Sequence, residues 1–159
     1  AFREKVVQLI MNISNNIQFQ FSGSTPRPPN KLEADIAETQ SAVSFKIAVP
    51  RYVPPGFEYQ GIAQIPGSQE PRITMTFAAQ DSLITVNQAI ATDNRSLTIN
   101  IDADRGKVEE VQFGRYSGFL ITYFDGKCEL IWLSDDNIEY AIFGDLEPAQ
   151  ALEMATLMQ

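Results

Sequence analysis

Apolar residues change their spacing three times along the chain. From the start, Phe2, Val6, Leu9, Ile10 and Ile13 recur at intervals of 4, 3, 1 and 3. That is one apolar stripe at the helical period, with Arg3, Glu4, Gln8 and Asn12 on the opposite side. The spacing predicts a helix over 2–13. Ser14, Asn15 and Asn16 end it, because their side chains compete for backbone hydrogen bonds. The period then drops to two. Ile17, Phe19 and Phe21 alternate with Gln18, Gln20 and Ser22, the pattern of a half-buried strand. Residues 23–42 break the pattern. Pro26, Pro28 and Pro29 cannot sit in a helix or sheet interior, and residues 30–42 are polar, with a short helix expected at 32–38.

Alternation returns at Val43, Phe45, Ile47 and Val49, set against Ser44, Lys46 and Ala48. Pro50, Pro54, Pro55 and Gly56 interrupt it. Strands are then expected at 57–65, 72–79, 83–91, 96–102, 108–113, 117–124, 128–134 and 138–143. The connections carry turn chemistry: Pro66-Gly67-Ser68, Ala79-Gln80-Asp81, Asp93-Asn94, Asp125-Gly126 and Asp135-Asp136-Asn137. Asp125-Gly126 between two apolar runs is the strongest hairpin signal. Strands after 117 are apolar on both faces, as at Leu130-Ile131-Trp132-Leu133, and belong in the middle of a sheet. A last helix is expected to start at Pro148, a residue suited to the first helical position. Its buried stripe is Ala151, Leu152, Ala155 and Met158. Glu147 would be its N-cap, a mediocre choice.

No βαβ alternation is present, which argues against a doubly wound sheet. The order predicts an α+β fold: one curved antiparallel β-sheet, a meander, with N-terminal and C-terminal helices packed on its apolar face. One domain is expected over 1–159. It comprises an N-terminal helix and strand at 1–22, a linker at 23–42, and the main sheet with the C-terminal helix at 43–159. The stripe at 2–13 should lie against the sheet, with Trp132 and Ile142 among the buried strand residues.

Composition narrows the chemistry. The chain of 159 residues is 44% hydrophobic and 20% charged, a folded globular balance, and its apolar runs are far below the roughly 18 residues that span a bilayer. It contains no histidine and one cysteine. The first removes the commonest general base and most zinc, copper and iron sites. The second removes internal disulfides. The net charge of −8 argues against nucleic acid as a partner. Charge is uneven: residues 1–80 carry +1 and residues 81–159 carry −9. The acids of the second half gather at turns, at Asp93, Asp102, Asp104, Asp125, Asp135 and Asp136. That reads first as a solvated rim, with a cation-binding edge as the sharper alternative.

Each candidate for chemistry weakens on inspection. Asp102-x-Asp104-x-Gly106 starts like a calcium loop, but Gly106 stands where Asp or Asn is needed and Phe113 where the closing Glu should be. Glu109-Glu110 would point to opposite faces of a strand, and Asp135-Asp136 would be solvated in a turn. Cys128 lacks a histidine partner and reads as a small buried hydrophobe. Trp132 and the tyrosines Tyr116, Tyr123 and Tyr140 lie at strand spacing, which reads as core and cross-strand pairs ahead of a ligand cage. The glycines are scattered, with no phosphate-binding loop. Asn12-Ile13-Ser14 and Asn94-Arg95-Ser96 match the glycosylation acceptor pattern, which is short and frequent. No catalytic residue, metal ligand or cofactor-binding residue is assigned, and no ligand-binding residue is identified.

Two stretches carry a resemblance. Val49-Pro50-Arg51-Tyr52-Val53-Pro54-Pro55-Gly56-Phe57 resembles the entry motif of the bacterial family known as domain of unknown function 4367. The C-terminus is similar to that family's ending: Leu130-Ile131-Trp132, an acidic turn at Ser134-Asp135-Asp136, Glu139-Tyr140, Gly144, and a small helix from Leu152 to Ala155. Gly114-Arg115-Tyr116-Ser117-Gly118 is similar to its turn with two glycines. The resemblance covers roughly residues 49–158. The Glu147-Pro148 helix start departs from the family's usual Ser cap. The motif also has a physical reading. Three prolines fix φ and Gly56 can take positive φ, so together they turn a rigid corner that delivers Phe57 to the next strand, with a docking surface on the exposed Pro/Tyr corner as the second reading.

The resemblance implies an extracytoplasmic domain of Gram-positive bacteria, behind a membrane helix or lipid anchor, in proteins some of which carry an anti-sigma-factor-like region. The chain opens at Ala1 without Met, so an upstream hydrophobic segment is expected. The functional expectation is a non-enzymatic domain for sensing or protein interaction. Its partner would be a protein or cell-envelope component, with no nucleic acid, no cofactor, and membrane contact only through the upstream anchor. The alternative is a lipid- or peptide-binding module resembling periplasmic lipoprotein carriers and envelope-stress sensors. It would need an apolar cavity of at least roughly 300 Å³ between helix and sheet.

Overall fold

The computed structural model describes residues 31–67, 69–91 and 104–158. The helix expected at 2–13, the strands expected at 17–21 and 96–102, the Asp93-Asn94 turn and both glycosylation patterns lie outside these residues. Helix α1 spans Lys31–Gln40, slightly longer than the short helix expected at 32–38. Seven strands follow: β1 (Glu58–Ile65), β2 (Arg72–Ala79), β3 (Ser82–Ile90), β4 (Gly106–Phe113), β5 (Tyr116–Tyr123), β6 (Cys128–Leu133) and β7 (Ile138–Gly144). Helix α2 (Pro148–Thr156) closes the fold. Each expected strand between 57 and 91 and beyond 104 is present, with ends moved by at most two residues.

All seven strands form one curved antiparallel sheet in the order β1-β2-β3-β7-β6-β5-β4. It consists of two local meanders, β1 to β3 and β4 to β7, joined where β3 pairs with β7 from Ile84↔Gly144 to Ile90↔Ile138. The doubly apolar strands β6 and β7 are therefore central, and β1 and β4 are the edges among the described strands.

The register sorts the side chains. Ile73, Met75 and Phe77 share a face with Val86 and Ile84, then with Ile142, Leu130 and Leu120. These residues belong to one buried cluster with Ala151, Met154 and Ala155 of α2. Small alanines let the helix approach the sheet closely. Burying each large aliphatic side chain here contributes about 1.5–3 kcal/mol. Trp132 and Ile142 are buried as the pattern predicts. Glu147, an indifferent cap by composition, gains support from Gln150, whose Oε1 accepts the Glu147 backbone N–H at 2.9 Å.

The alternating segment at 43–49 does bury Val43, Phe45 and Ile47, yet it belongs to none of the seven strands. Two glutamine carboxamides take over the bonding that a strand partner would supply. Gln40 donates to the Phe45 carbonyl at 2.7 Å and accepts from the Ile47 N–H at 3.0 Å. Gln88, fully buried on the apolar face, donates to the Ala48 carbonyl and accepts from the Ala48 N–H, both at 2.7 Å. An amide side chain has the same donor and acceptor set as a peptide unit. The segment is thus fastened over the core without pairing edge to edge. Gln40 also makes the end of α1 part of the fold, and Tyr59 of β1 reinforces this by donating to Asp35 at 2.7 Å.

The opposite face mixes types. Thr74, Thr76, Thr85 and Asn87 are buried there, and the Thr74 hydroxyl donates to Asn87 Oδ1 at 2.7 Å. On the same face Tyr123 donates to the buried carboxylate of Glu129.

Candidate interaction surface

The acidic candidates stay apart. Asp104 is exposed in a turn, and Asp102 lies outside the described residues. Glu109 and Glu110 point to opposite sides of edge strand β4, where Glu109 is paired with Lys107 at 2.6 Å across open solvent. Asp135 and Asp136 are exposed in the β6–β7 turn. Among the described residues no group of three His, Cys, Asp or Glu side chains could hold a metal ion. Among them, too, no helix is long and apolar enough to cross a membrane.

Cys128 is buried at the start of β6. Burial pushes its thiol up to about 11, and the carboxylates of Glu129 and Glu147 push in the same direction. A thiol held protonated is a poor nucleophile. Its linkage has a definite sign. A folded-state value above the unfolded one stabilises the fold at pH below about 8.5, the ordinary thiol value, and that contribution is lost as pH rises through about 11. The wild-type chain should therefore lose more stability between pH 9 and 11 than Cys128→Ala, by about 2 kcal/mol. Urea unfolding at stepped pH checks this. Parallel pH profiles for the two proteins would refute it.

The tyrosines and the tryptophan do come together, at the sheet end that carries the β4–β5 and β6–β7 turns. One row across the sheet runs Val111, Gly118, Trp132, Tyr140, Gln88. Gly118 makes the row possible, since a Cβ there would stand 2.5 Å from the Ile131 carbonyl oxygen and 3.0 Å from Trp132 Cβ. Tyr140 stacks on Trp132, with ring centroids 5.1 Å apart and planes at 15°. Phe113 meets Trp132 edge-on at 5.3 Å and leans on Tyr116 at 6.2 Å. Each such pair adds about 0.5–1.5 kcal/mol beyond its burial.

Trp132 and Phe113 are the buried floor of this cluster, whereas Tyr116 and Tyr140 are half-exposed. Arg115 lies over the Tyr116 ring at 5.1 Å, donates to the Tyr116 hydroxyl at 2.9 Å, and stands 3.9 Å from the Asp135 carboxylate. Those partners raise its affinity for the proton, the Tyr116 hydroxyl most strongly. Desolvation, followed by Tyr116 and then Asp136, raises the Tyr140 hydroxyl. Tyr123 stands apart from this group, edge-on to Phe143 at 6.0 Å on the other face. Phe124 is highly exposed at the far hairpin, but a single exposed apolar side chain is ordinary on a protein surface.

Strand periodicity reveals Trp132 and Tyr140 as core-facing residues. Their assembly with Phe113 and Tyr116 depends on cross-strand register, which a single sequence does not display. Their neighbourhood with Arg115 is likewise not displayed by the Gly114–Gly118 turn in the sequence.

Comparison with known proteins gives a family and a distant likeness. The model of the domain of unknown function DUF4367 matches residues 47–158. Among solved structures, the chain is similar to MucB in complex with MucA(peri), at 13% identity and a TM-score of 0.41. That match covers 74% of this chain and 37% of the other. A second similar structure is the Pseudomonas aeruginosa MucA/MucB complex, at 14% identity and a TM-score of 0.39, covering 86% of this chain and 41% of the other. The chain thus spans about two fifths of the solved chains it matches. No curated protein matches its sequence.

Proposed function

The chain belongs to the DUF4367 family, and from that premise we propose that it is a non-enzymatic protein-interaction domain, in a sensing role, working outside the cytoplasm. The observation that carries this reading is the aromatic end of the sheet. Tyr116 and Tyr140 lie half-exposed over a rigid Trp132–Phe113 floor, beside exposed Arg115, Asp135 and Asp136. Tyr, Trp and Arg are the side chains enriched at the energetic centres of protein interfaces. A floor that is already packed also reduces the ordering cost of association. The family resemblance of the proline corner and the C-terminal strands supports the extracytoplasmic setting.

A photo-crosslinking residue placed at Arg115, in cells of the source organism, tests this. The expected result is one discrete cross-linked protein from position 115. The same residue at Asp81, a turn position at the opposite end of the sheet, should give none. Equal labelling from both positions, or none from either, would count against the reading. So would hydrolytic turnover abolished by a single Asp or Glu substitution.

A further inference from the structure

The aromatic end holds a cation of its own, Arg115. Arg115 is bound in three ways at once: by the Tyr116 ring, by the Tyr116 hydroxyl and by Asp135. Its side chain is nevertheless 73% exposed, and that of Asp135 is 79% exposed. An ion pair of that kind, at 3.9 Å in water, is weak and easily exchanged. Next to it are acceptors with capacity to spare. The Asp136 carboxylate, exposed next to Asp135 in the β6–β7 turn, and the Tyr140 hydroxyl make no hydrogen bond among the described residues. Tyr140 itself is stacked on Trp132 and cannot turn away without breaking that contact.

Resting on the protein-interaction reading above, we infer that this end of the sheet is a docking site for an Arg or Lys side chain presented by a partner protein. The incoming cation lies against Tyr140 and Tyr116 and pairs with Asp136 and Asp135. Arg115 occupies part of the site in the free protein and swings outward on binding. Charge complementarity favours this occupant, because the site sets two exposed carboxylates, Asp135 and Asp136, against the single cation of Arg115. Aromatic rings add a preference that a bare acidic surface lacks, since the ring face attracts a cation and the ring covers its alkyl stem.

Trp132 is the sole tryptophan and lies beneath Tyr140, so its fluorescence reports on the site in the intact chain. The probes are two capped tetrapeptides, acetyl-Ala-Arg-Ala-Arg-amide and its Glu counterpart. The Arg peptide should give a saturable change that weakens with added salt, and the Glu peptide none. Asp136→Asn should weaken binding about threefold to tenfold. Asp125→Asn, at the opposite end of the sheet, should leave it unchanged. Arg115→Gln should tighten it by removing the resident competitor, an effect that general attraction to an acidic protein would not produce. Equal weakening by Asp136→Asn and Asp125→Asn, or weaker binding by Arg115→Gln, overturns the cation site. Binding of the Glu peptide alone also overturns it while leaving a docking surface in place. Silence with both peptides, together with a discrete cross-link from position 115, would overturn it and leave the broader interaction reading standing.

Discussion

Gln88→Leu is expected to cost about 2–4 kcal/mol of folding stability although it replaces a buried polar residue with an apolar one of similar size. Gln88 is fully buried, and its carboxamide satisfies both the N–H and the carbonyl of Ala48 at 2.7 Å. Leucine would leave both backbone groups buried without partners, at about 1–3 kcal/mol each. The extra apolar burial offsets only part of that. Urea unfolding gives the stability, and hydrogen exchange at the Ala48 amide gives the local effect. A loss under about 1 kcal/mol, or an Ala48 amide still protected in the variant, would show that the segment is held by its apolar residues alone.

Gly144→Ala should be more damaging still. Gly144 ends β7 at φ +154°, a backbone conformation that L-residues rarely adopt. A Cβ there would stand 2.1 Å from the Leu83 carbonyl oxygen and 2.8 Å from Ile84 Cα. Both atoms are backbone of β3, so no side chain can move aside. The strand pair that joins the two meanders would have to part at that end, where the Asp145 N–H also donates to the Leu83 carbonyl at 3.0 Å. The expected cost is about 3–5 kcal/mol, in the range reserved for steric overlap with the core or backbone. Thermal unfolding of the purified variant measures it. A melting temperature within a few degrees of the parent chain would mean that β7 can shift without penalty.

Most of the fold was legible because its strands alternate cleanly and its turns carry Gly, Asp and Asn. Ile73, Met75 and Phe77 declare their face by spacing alone, and Asp125-Gly126 marks the β5–β6 hairpin. The β3–β7 pairing was not legible, because backbone hydrogen bonds between distant strands leave no local signature. The glutamines were missed for a related reason. Gln88 falls at a position where Ile84 and Val86 set up an apolar face, so the pattern reads it as an exception. Only the fold brings Ala48 within its reach. The aromatic cluster was half legible: periodicity gave the direction of Trp132 and Tyr140, and register alone gave their neighbours.

The join between the two meanders also governs how the chain acquires its shape. Within each meander, strands that are neighbours in sequence pair across short turns, and the entropy of loop closure is small. At the join, β3 meets β7 across separations of 48 residues at Ile90↔Ile138 and 60 at Ile84↔Gly144. Contacts of that range are the slow ones, since the chain must be ordered before they stabilise it. The expected order is therefore that each half of the sheet forms early and that the seam between them closes last.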